Sequence, residues 1–179
     1  GWLQAPHVDI FKDPARHGEL EGYIKGIMTR YKDDPRVLLW DLYNEPAQGN
    51  IPLYQQYELE NKRELALLLQ KKLFQWGREV NPSQPLSVGL WQGDWREDKL
   101  DELNRFALDN SDVITYHEYR PFKDLKARTE LLLKHGRPLI CTEHMARTLG
   151  NTFMYALPLF EKYKIGACNW GFVAGKTQT

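Results

Sequence analysis

The sequence lacks the features that mark several specialised classes of protein. Its two cysteines, among 179 residues, are too few for a disulfide-rich scaffold. Neither belongs to a C-x-x-C pair, which disfavours a cysteine zinc site. We expect Cys141 and Cys168 to be reduced thiols that pack as small buried side chains in short apolar strands.

The chain also lacks an excess of charge and a long apolar run. Lys plus Arg and Asp plus Glu number 24 each, so the formal net charge at pH 7 is zero. Nucleic-acid-binding domains usually carry a basic excess, which argues against such a partner. Apolar runs such as residues 65–69 are far shorter than the roughly 18 residues that a membrane span requires. We therefore predict neither a nucleic-acid partner nor a membrane partner.

Short strand-like segments alternate with longer helix-like segments, and no repeat or linker divides them. Strands are predicted at residues 37–43, 86–91, 112–119, 138–143 and 165–170. Helices are predicted at residues 19–32, 54–80, 99–108 and 124–135, and Pro158 is expected to interrupt a further helix at 153–163. The alternation predicts an α/β fold with a parallel sheet, and leaves open a doubly wound sheet or a (β/α)8 barrel.

Polar and aromatic side chains stand at the C-terminal ends of four predicted strands. They are Asn44 and Glu45 after the first strand, His117 and Tyr119 in the third, Glu143 in the fourth and Trp170 in the fifth. In a parallel α/β fold these ends meet at one rim, where active sites are built. Two carboxylates there predict paired acid–base or nucleophilic chemistry, because an unused buried carboxylate is costly. The alternative is that both glutamates begin loops and face solvent.

Four of these segments resemble motifs of the clan A glycoside hydrolases, and of glycoside hydrolase family 5 in particular. The W-D-L-Y-N-E-P sequence at residues 40–46 resembles the fourth-strand motif of the clan, and C-T-E at 141–143 resembles its seventh-strand nucleophile. His117-x-Tyr119 resembles the sixth-strand pair of family 5, and Trp170 matches the eighth-strand tryptophan. Their order and spacing agree with successive strands of a (β/α)8 barrel.

The resemblance implies an incomplete barrel. A complete one usually needs about 250 residues, whereas this chain supplies about five of the eight strands, the fourth to the eighth. We therefore expect residues 1–179 to be a partial catalytic barrel, truncated at both ends, that is poorly stable and inactive alone. The second-strand arginine of the family has no counterpart here. Thr142 stands where family 5 has glycine before the nucleophile, which leaves another family of the clan open.

The chemistry that the resemblance implies is retaining hydrolysis of β-linked glycans, of the endoglucanase, mannanase or xylanase type. Glu143 would attack the anomeric carbon, and Glu45 would protonate the leaving oxygen and then activate water. This requires carboxyl groups about 5–5.5 Å apart and a raised pKa at Glu45. The substrate would be an oligo- or polysaccharide, with no cofactor and no metal. Polysaccharide degradation would favour a secreted or periplasmic location, although the compartment stays open.

The resemblance also implies substrate-binding residues. Asn44 would bind the sugar 2-hydroxyl, which requires a twist or bulge, because adjacent side chains of a regular strand face opposite sides. His117 would bind substrate, and Tyr119 would donate a hydrogen bond to Glu143. Trp170 would form the floor of the central subsite.

Two further tryptophans, Trp91 and Trp95, flank a loop at the end of the second predicted strand. Subsite and core-packing roles are equally open for each, and we retain Trp91 as a substrate-binding candidate.

Other functions are compatible with parts of the sequence. A non-catalytic carbohydrate-binding barrel would keep the aromatic cleft without turnover. The G-x-x-x-G-K-T sequence at residues 171–177 is one residue short of a phosphate loop. A metal site of His117, Glu118 and His144 lacks the H-E-x-x-H pattern. The retained carboxylates favour an enzyme over the non-catalytic barrel.

Overall fold

Five parallel strands form the centre of the fold. The structure is a computed structural model and describes residues 6–171, so residues 172–177 of the phosphate-loop-like sequence lie outside the described part. The strands are β1 (Trp40–Asn44), β2 (Leu86–Gly89), β3 (Ile114–Glu118), β4 (Leu139–His144) and β5 (Gly166–Asn169). Each overlaps its predicted segment.

Helices connect the strands. They are α1 (Val8–Phe11), α2 (Glu21–Tyr31), α3 (Lys62–Val80), α4 (Glu102–Asn110), α5 (Phe122–Leu132) and α6 (Phe153–Tyr163), with short 3-10 helices at Arg16–Leu20, Pro52–Tyr57, Leu133–His135 and Arg147–Leu149. Asp101 caps α4 by accepting a hydrogen bond from the Asn104 amide, and α3 ends where Asn81 adopts the left-handed conformation. Within residues 6–171, no helix combines the length and the apolar surface that crossing a membrane requires.

Two helix predictions are wrong. The single helix expected at residues 54–80 is divided, because Glu58 adopts an extended backbone and its carboxylate accepts hydrogen bonds from the Asn50 amide and Lys62. Pro158 lies inside α6 and does not interrupt it. The side chains of Pro158 and Met154 are exposed, so water can reach the carbonyl that lost its helical donor.

The strands pair in chain order. β1 pairs with β2, and β3 pairs with β4, which pairs in turn with β5, always in parallel. A bridge between Leu90 and Tyr116 joins the two groups of strands just beyond β2. The α/β class with a parallel sheet is therefore confirmed, and the C-terminal strand ends all lie on one side.

Apolar side chains cover both faces of the central strands. One core cluster includes Leu86, Val88, Ile114, Tyr116, Leu125, Leu132 and Phe160. A second joins α1, α3 and α4 through Phe11, Leu65, Leu69, Leu73, Trp76 and Leu103. Cys141 is buried, as expected, whereas Cys168 is exposed. The expectation for Cys168 fails because β5 is exposed along its whole length.

A buried hydroxyl takes the place of a backbone acceptor between β2 and β3. Ser87 Oγ accepts a hydrogen bond from the Thr115 amide at 3.2 Å and lies 2.8 Å from Thr115 Oγ1. Both side chains are fully buried. The Ser87 hydroxyl is thus the hydrogen-bond acceptor for a strand amide that is buried away from water.

Ser87→Ala is expected to lower the free energy of unfolding by about 1–3 kcal/mol, because it leaves the Thr115 amide buried without an acceptor. Ser83→Ala is the control, since Ser83 donates to the Lys32 carbonyl at an exposed position, and we expect a change within about 0.5 kcal/mol. Urea-induced unfolding measures both. Equal effects of the two substitutions would contradict this explanation of β2–β3 pairing.

Candidate active site

The two strands that carry the candidate carboxylates are irregular where they end. Three residue steps in β1, from Asp41 to Asn44, oppose two in β2. In β4, two steps from Cys141 to Glu143 oppose a single step in β3. A bulge of this kind bends the strand and redirects side chains. Asn44 and Glu45 consequently line the same cleft, which a regular strand would not allow.

The backbone at Glu45 is itself strained. Its φ angle is 47°, in the left-handed region that side chains other than glycine rarely adopt. The Glu45 amide donates to the Gly89 carbonyl at 3.1 Å, which ties this turn to the end of β2. Strain of this sort concentrates at functional sites, where the surrounding structure maintains it.

Glu45 and Glu143 lie close together, and the side chain of His117 contacts both. Each of the three side chains offers one oxygen or nitrogen atom, and these atoms all lie within 4.8 Å of one another. His117 Nδ1 lies 2.7 Å from Glu45 Oε1 and 3.5 Å from Glu143 Oε2. The Glu45 and Glu143 side chains are 15% and 16% exposed, so both reach the cleft while most of their surface is covered.

His117 is placed differently from the sequence expectation. Its side chain is only 1% exposed, and it contacts the two carboxylates from behind the surface of the cleft. The structure therefore corrects the expectation that His117 binds substrate directly. Its position suits it to orient the two carboxylates.

A close approach between strands supports His117 from its other side. A side-chain carbon on Gly89 would lie 3.2 Å from both His117 Nε2 and Asp41 Oδ2. Asp41 in turn accepts hydrogen bonds from the Gly89 amide and from Thr115 Oγ1, both at 3.0 Å. Glycine is thus the residue that lets the imidazole and the Asp41 carboxylate pack this closely against β2.

Tyr119 contacts the second carboxylate. Its hydroxyl donates to Glu143 Oε2 at 2.5 Å. Burial raises the pKa of Glu143 above its usual value, and the hydrogen bond from Tyr119 and the nearby His117 act in the opposite direction. Burial and the same hydrogen bond raise the pKa of Tyr119, so this hydroxyl remains a donor at neutral pH.

Both carboxylates line a cleft with a volume of about 730 Å³. Of the predicted site residues, six line it: Asn44, Glu45, Trp91, Tyr119, Glu143 and Trp170. Several other residues that line the cleft were not predicted from the sequence, among them Gln48, Asn50, Tyr54 and Lys62. The polar residues that follow the N-E-P motif were a signal for the first three. Lys62 had none, because its burial depends on the Glu58 carboxylate 3.0 Å away.

The two tryptophans after β2 take different positions. Trp91 lines the cleft, with its ring edge-on to Tyr119 at a centroid distance of 5.5 Å. Trp95 is 3% exposed and packs in the core against Tyr116. The core-packing role therefore applies to Trp95 and not to Trp91.

The Glu45, His117 and Glu143 side chains could also be considered as metal ligands. Two atoms that bind one zinc ion at 2.0–2.1 Å in tetrahedral geometry lie roughly 3.3 Å apart. The 2.7 Å between His117 Nδ1 and Glu45 Oε1 is a hydrogen-bond distance instead. The arrangement therefore fits proton chemistry better than a metal centre.

Comparisons with known proteins identify similar sequences and folds. A family model described as cellulase, glycosyl hydrolase family 5, matches residues 5–174. A probable mannan endo-1,4-beta-mannosidase C of Aspergillus terreus is 28% identical over a match that covers 63% of this chain and 30% of that protein. The chain thus spans less than a third of this curated relative.

Two solved structures resemble the fold. A beta-glucuronidase of Bacteroides uniformis has a TM-score of 0.64 and 14% identity, covering 92% of this chain and 22% of the other. XEG5A, a GH5 xyloglucan-specific endo-beta-1,4-glucanase from a metagenomic library, has a TM-score of 0.52 and 14% identity, covering 92% and 60%. At this identity the likeness extends to the fold alone.

Tyr119→Phe is expected to raise the pKa of Glu143 further, because it removes a hydrogen bond that stabilises the charged carboxylate. Glu143 would then be protonated up to a higher pH than in the unaltered protein. A carbon-13 NMR titration of the Glu143 carboxyl group measures the shift. Tyr54→Phe, at another tyrosine of the cleft, should leave the pKa of Glu143 in place. An unchanged or lower pKa in the Tyr119 variant would contradict the assigned interaction.

Proposed function

The chain belongs to glycosyl hydrolase family 5, the cellulase family, and on this premise we propose that it forms the catalytic part of an enzyme that hydrolyses β-linked glycans with retention of configuration. One observation carries the proposal: Glu45 and Glu143 have oxygen atoms within 4.8 Å of each other at the wall of a single cleft. Retaining glycosidases keep their carboxyl groups about 5–5.5 Å apart, whereas inverting enzymes need about 6.5–9.5 Å to admit a water molecule.

In the first step, the Glu143 carboxylate attacks the anomeric carbon and forms a glycosyl ester. The bond from that carbon to the leaving oxygen breaks, and Glu45 gives its proton to this oxygen. Tyr119 and His117 both approach Glu143 through Oε2, so we assign the attack to Oε1. The hydrogen bond from Tyr119 orients the carboxylate and supports its charged form.

In the second step, Glu45 acts as a base. It takes a proton from a water molecule whose oxygen attacks the anomeric carbon and releases Glu143 as a carboxylate. Esterification of Glu143 has removed a nearby negative charge, which suits the change of role of Glu45 from acid to base. His117, hydrogen-bonded to Glu45 Oε1, keeps that side chain directed at the leaving group through both steps.

The other cleft residues are proposed to hold the sugar. Asn44 would bind the 2-hydroxyl, a contact that strengthens toward the oxocarbenium-like transition state. Trp170 and Trp91 present aromatic surface to the cleft, against which the C–H faces of sugar rings pack. The proposed substrate is an oligo- or polysaccharide of the β-glucan, β-mannan or β-xylan type.

We further propose that residues 1–179 are five strands of an eight-stranded (β/α)8 barrel. The parallel strand order from β1 to β5 supports this arrangement, as does the exposure of β5, which is the edge of the described sheet. Additional parallel strands would cover these edges and complete the cleft. The remaining strands would then come from the rest of a longer chain.

Glu143→Gln in the complete protein should lower kcat by several orders of magnitude and leave oligosaccharide binding within a few-fold, because the nucleophile is lost and the cleft is kept. Glu161→Gln, at an exposed position of α6, is the matched control and should leave kcat unchanged. Kinetics and calorimetric titration with β-1,4-linked oligosaccharides measure both quantities. A protein that binds these sugars but never hydrolyses them would be a non-catalytic carbohydrate-binding barrel, and the proposal would fail.

The 179-residue chain on its own should be less stable than the complete protein and should not turn over a β-1,4-glycan that the complete protein cleaves. The reason is its open strand edges and the missing part of the cleft. Thermal unfolding and reducing-sugar assays of the two proteins, side by side, give the comparison. Measurable turnover by the purified 179-residue chain would overturn the partial-barrel proposal.

A further inference from the structure

We propose that Glu118 and Arg128 form a positioning pair that holds the loop after β2, and through it Trp91, in place along the cleft. The loop comprises residues 90–95 and has no helical or extended-strand structure of its own. This inference rests on the proposed function, because Glu118 and Arg128 lie outside the cleft and would affect substrate binding only by positioning Trp91.

Glu118 is a buried charge that the proposed reaction does not use. On β3 it lies between His117 and Tyr119, and side chains alternate in direction along a strand. It therefore faces away from the cleft, where it is 0% exposed. A buried carboxylate needs partners, and those of Glu118 include Arg120, whose Nη2 lies at 2.6 Å, and Arg128, whose Nε lies at 3.2 Å.

Arg128 extends from Glu118 to the loop. Its Nη1 donates to the Trp91 carbonyl at 2.5 Å, and its Nη2 donates to the Gly93 carbonyl at 2.8 Å. The guanidinium also lies over the Trp95 ring, 4.0 Å from the ring centroid. One planar side chain thus contacts a carboxylate, two loop carbonyls and an aromatic face, a combination that the fork of donors in arginine allows and lysine does not.

A second helix completes the support of the loop. Asn104 Nδ2 of α4 donates to the Gln92 carbonyl at 3.0 Å. Three consecutive carbonyls of the loop are therefore bound by side chains from α4 and α5. Gly93 has a φ angle of 104°, and a side-chain carbon there would lie 2.3 Å from Asn104 Nδ2. The loop conformation is consequently determined by its helical neighbours.

This support determines where Trp91 stands in the cleft. The same residue whose carbonyl binds Arg128 places its ring edge-on against Tyr119, which donates to Glu143. Its neighbour Gln92 donates at 2.8 Å to Oε1 of Gln48, which lines the cleft. Loss of the Arg128 contacts would let the Trp91 ring move and leave the carboxylates in place. We therefore expect substrate binding to weaken more than the rate of the chemical step.

The test compares Arg128→Gln and Glu118→Gln with Arg120→Gln in the complete protein. Arg120 pairs with the same carboxylate but is not among the donors to the loop, so it is the matched control. With the β-1,4-gluco- or manno-oligosaccharide that the unaltered protein cleaves, we expect Arg128→Gln to raise KM about tenfold and to lower kcat less than about threefold. Glu118→Gln should act in the same direction, and Arg120→Gln should leave both constants within about twofold.

A second measurement is independent of catalysis. With 5-fluorotryptophan incorporated, the fluorine NMR signal of Trp91, assigned through Trp91→Phe, should shift or broaden in the Arg128 variant and stay in place in the Arg120 variant. Arg128→Lys keeps the positive charge but loses the forked set of donors of the guanidinium. This variant should also shift or broaden the Trp91 signal, and it tests the proposal even if Arg128→Gln fails to fold.

The outcomes separate the two proposals. An unmoved Trp91 signal and an unchanged KM in the Arg128 variants would overturn the positioning role, as would equal effects in the Arg120 control. A shifted Trp91 signal in a protein that hydrolyses no β-glycan would support the positioning role of Glu118 and Arg128 and contradict the proposed function.

Discussion

A buried imidazole contacts both of the carboxylates on which the proposed chemistry depends. Two negative charges with oxygen atoms within 4.8 Å of each other, both largely shielded from water, repel strongly unless polar groups balance them. His117 contacts both carboxylates, and Tyr119 adds a hydrogen bond to Glu143. Polar groups thus contact both carboxylates of the proposed acid and nucleophile pair.

The backbone that creates this geometry departs from regular structure at the strand ends. β1 and β4, which position Glu45 and Glu143, each contain an extra residue relative to a neighbouring strand. Glu45 also adopts a left-handed backbone conformation. The central part of the sheet stays regular and buried, so it can maintain the strained ends. His117 and Tyr119 contact the carboxylates on one side of β3, and Glu118 pairs with Arg128 of α5 on the other.

Much of this could be predicted from the sequence, because strand position and residue type are local signals. Alternating segments predicted the five strands, and polar residues at strand ends predicted that Glu45 and Glu143 would meet at one rim. Three features could not be predicted, because they depend on side chains distant in sequence or on solvent exposure. They are the break in the predicted helix at residues 54–80, the continuity of α6 through Pro158 and the burial of His117. The pairing of Glu118 with Arg128 was equally inaccessible, because periodicity indicates only that Glu118 faces away.

The stereochemistry of the first product tests the central claim most directly. In the proposed retaining mechanism, the reaction passes through a glycosyl ester on Glu143. Proton NMR of an oligosaccharide digest, recorded before the sugar anomers equilibrate, should therefore display the β-anomer as the initial product. An initial α-anomer from a β-linked substrate would mean direct attack by water and would contradict the facing-carboxylate account.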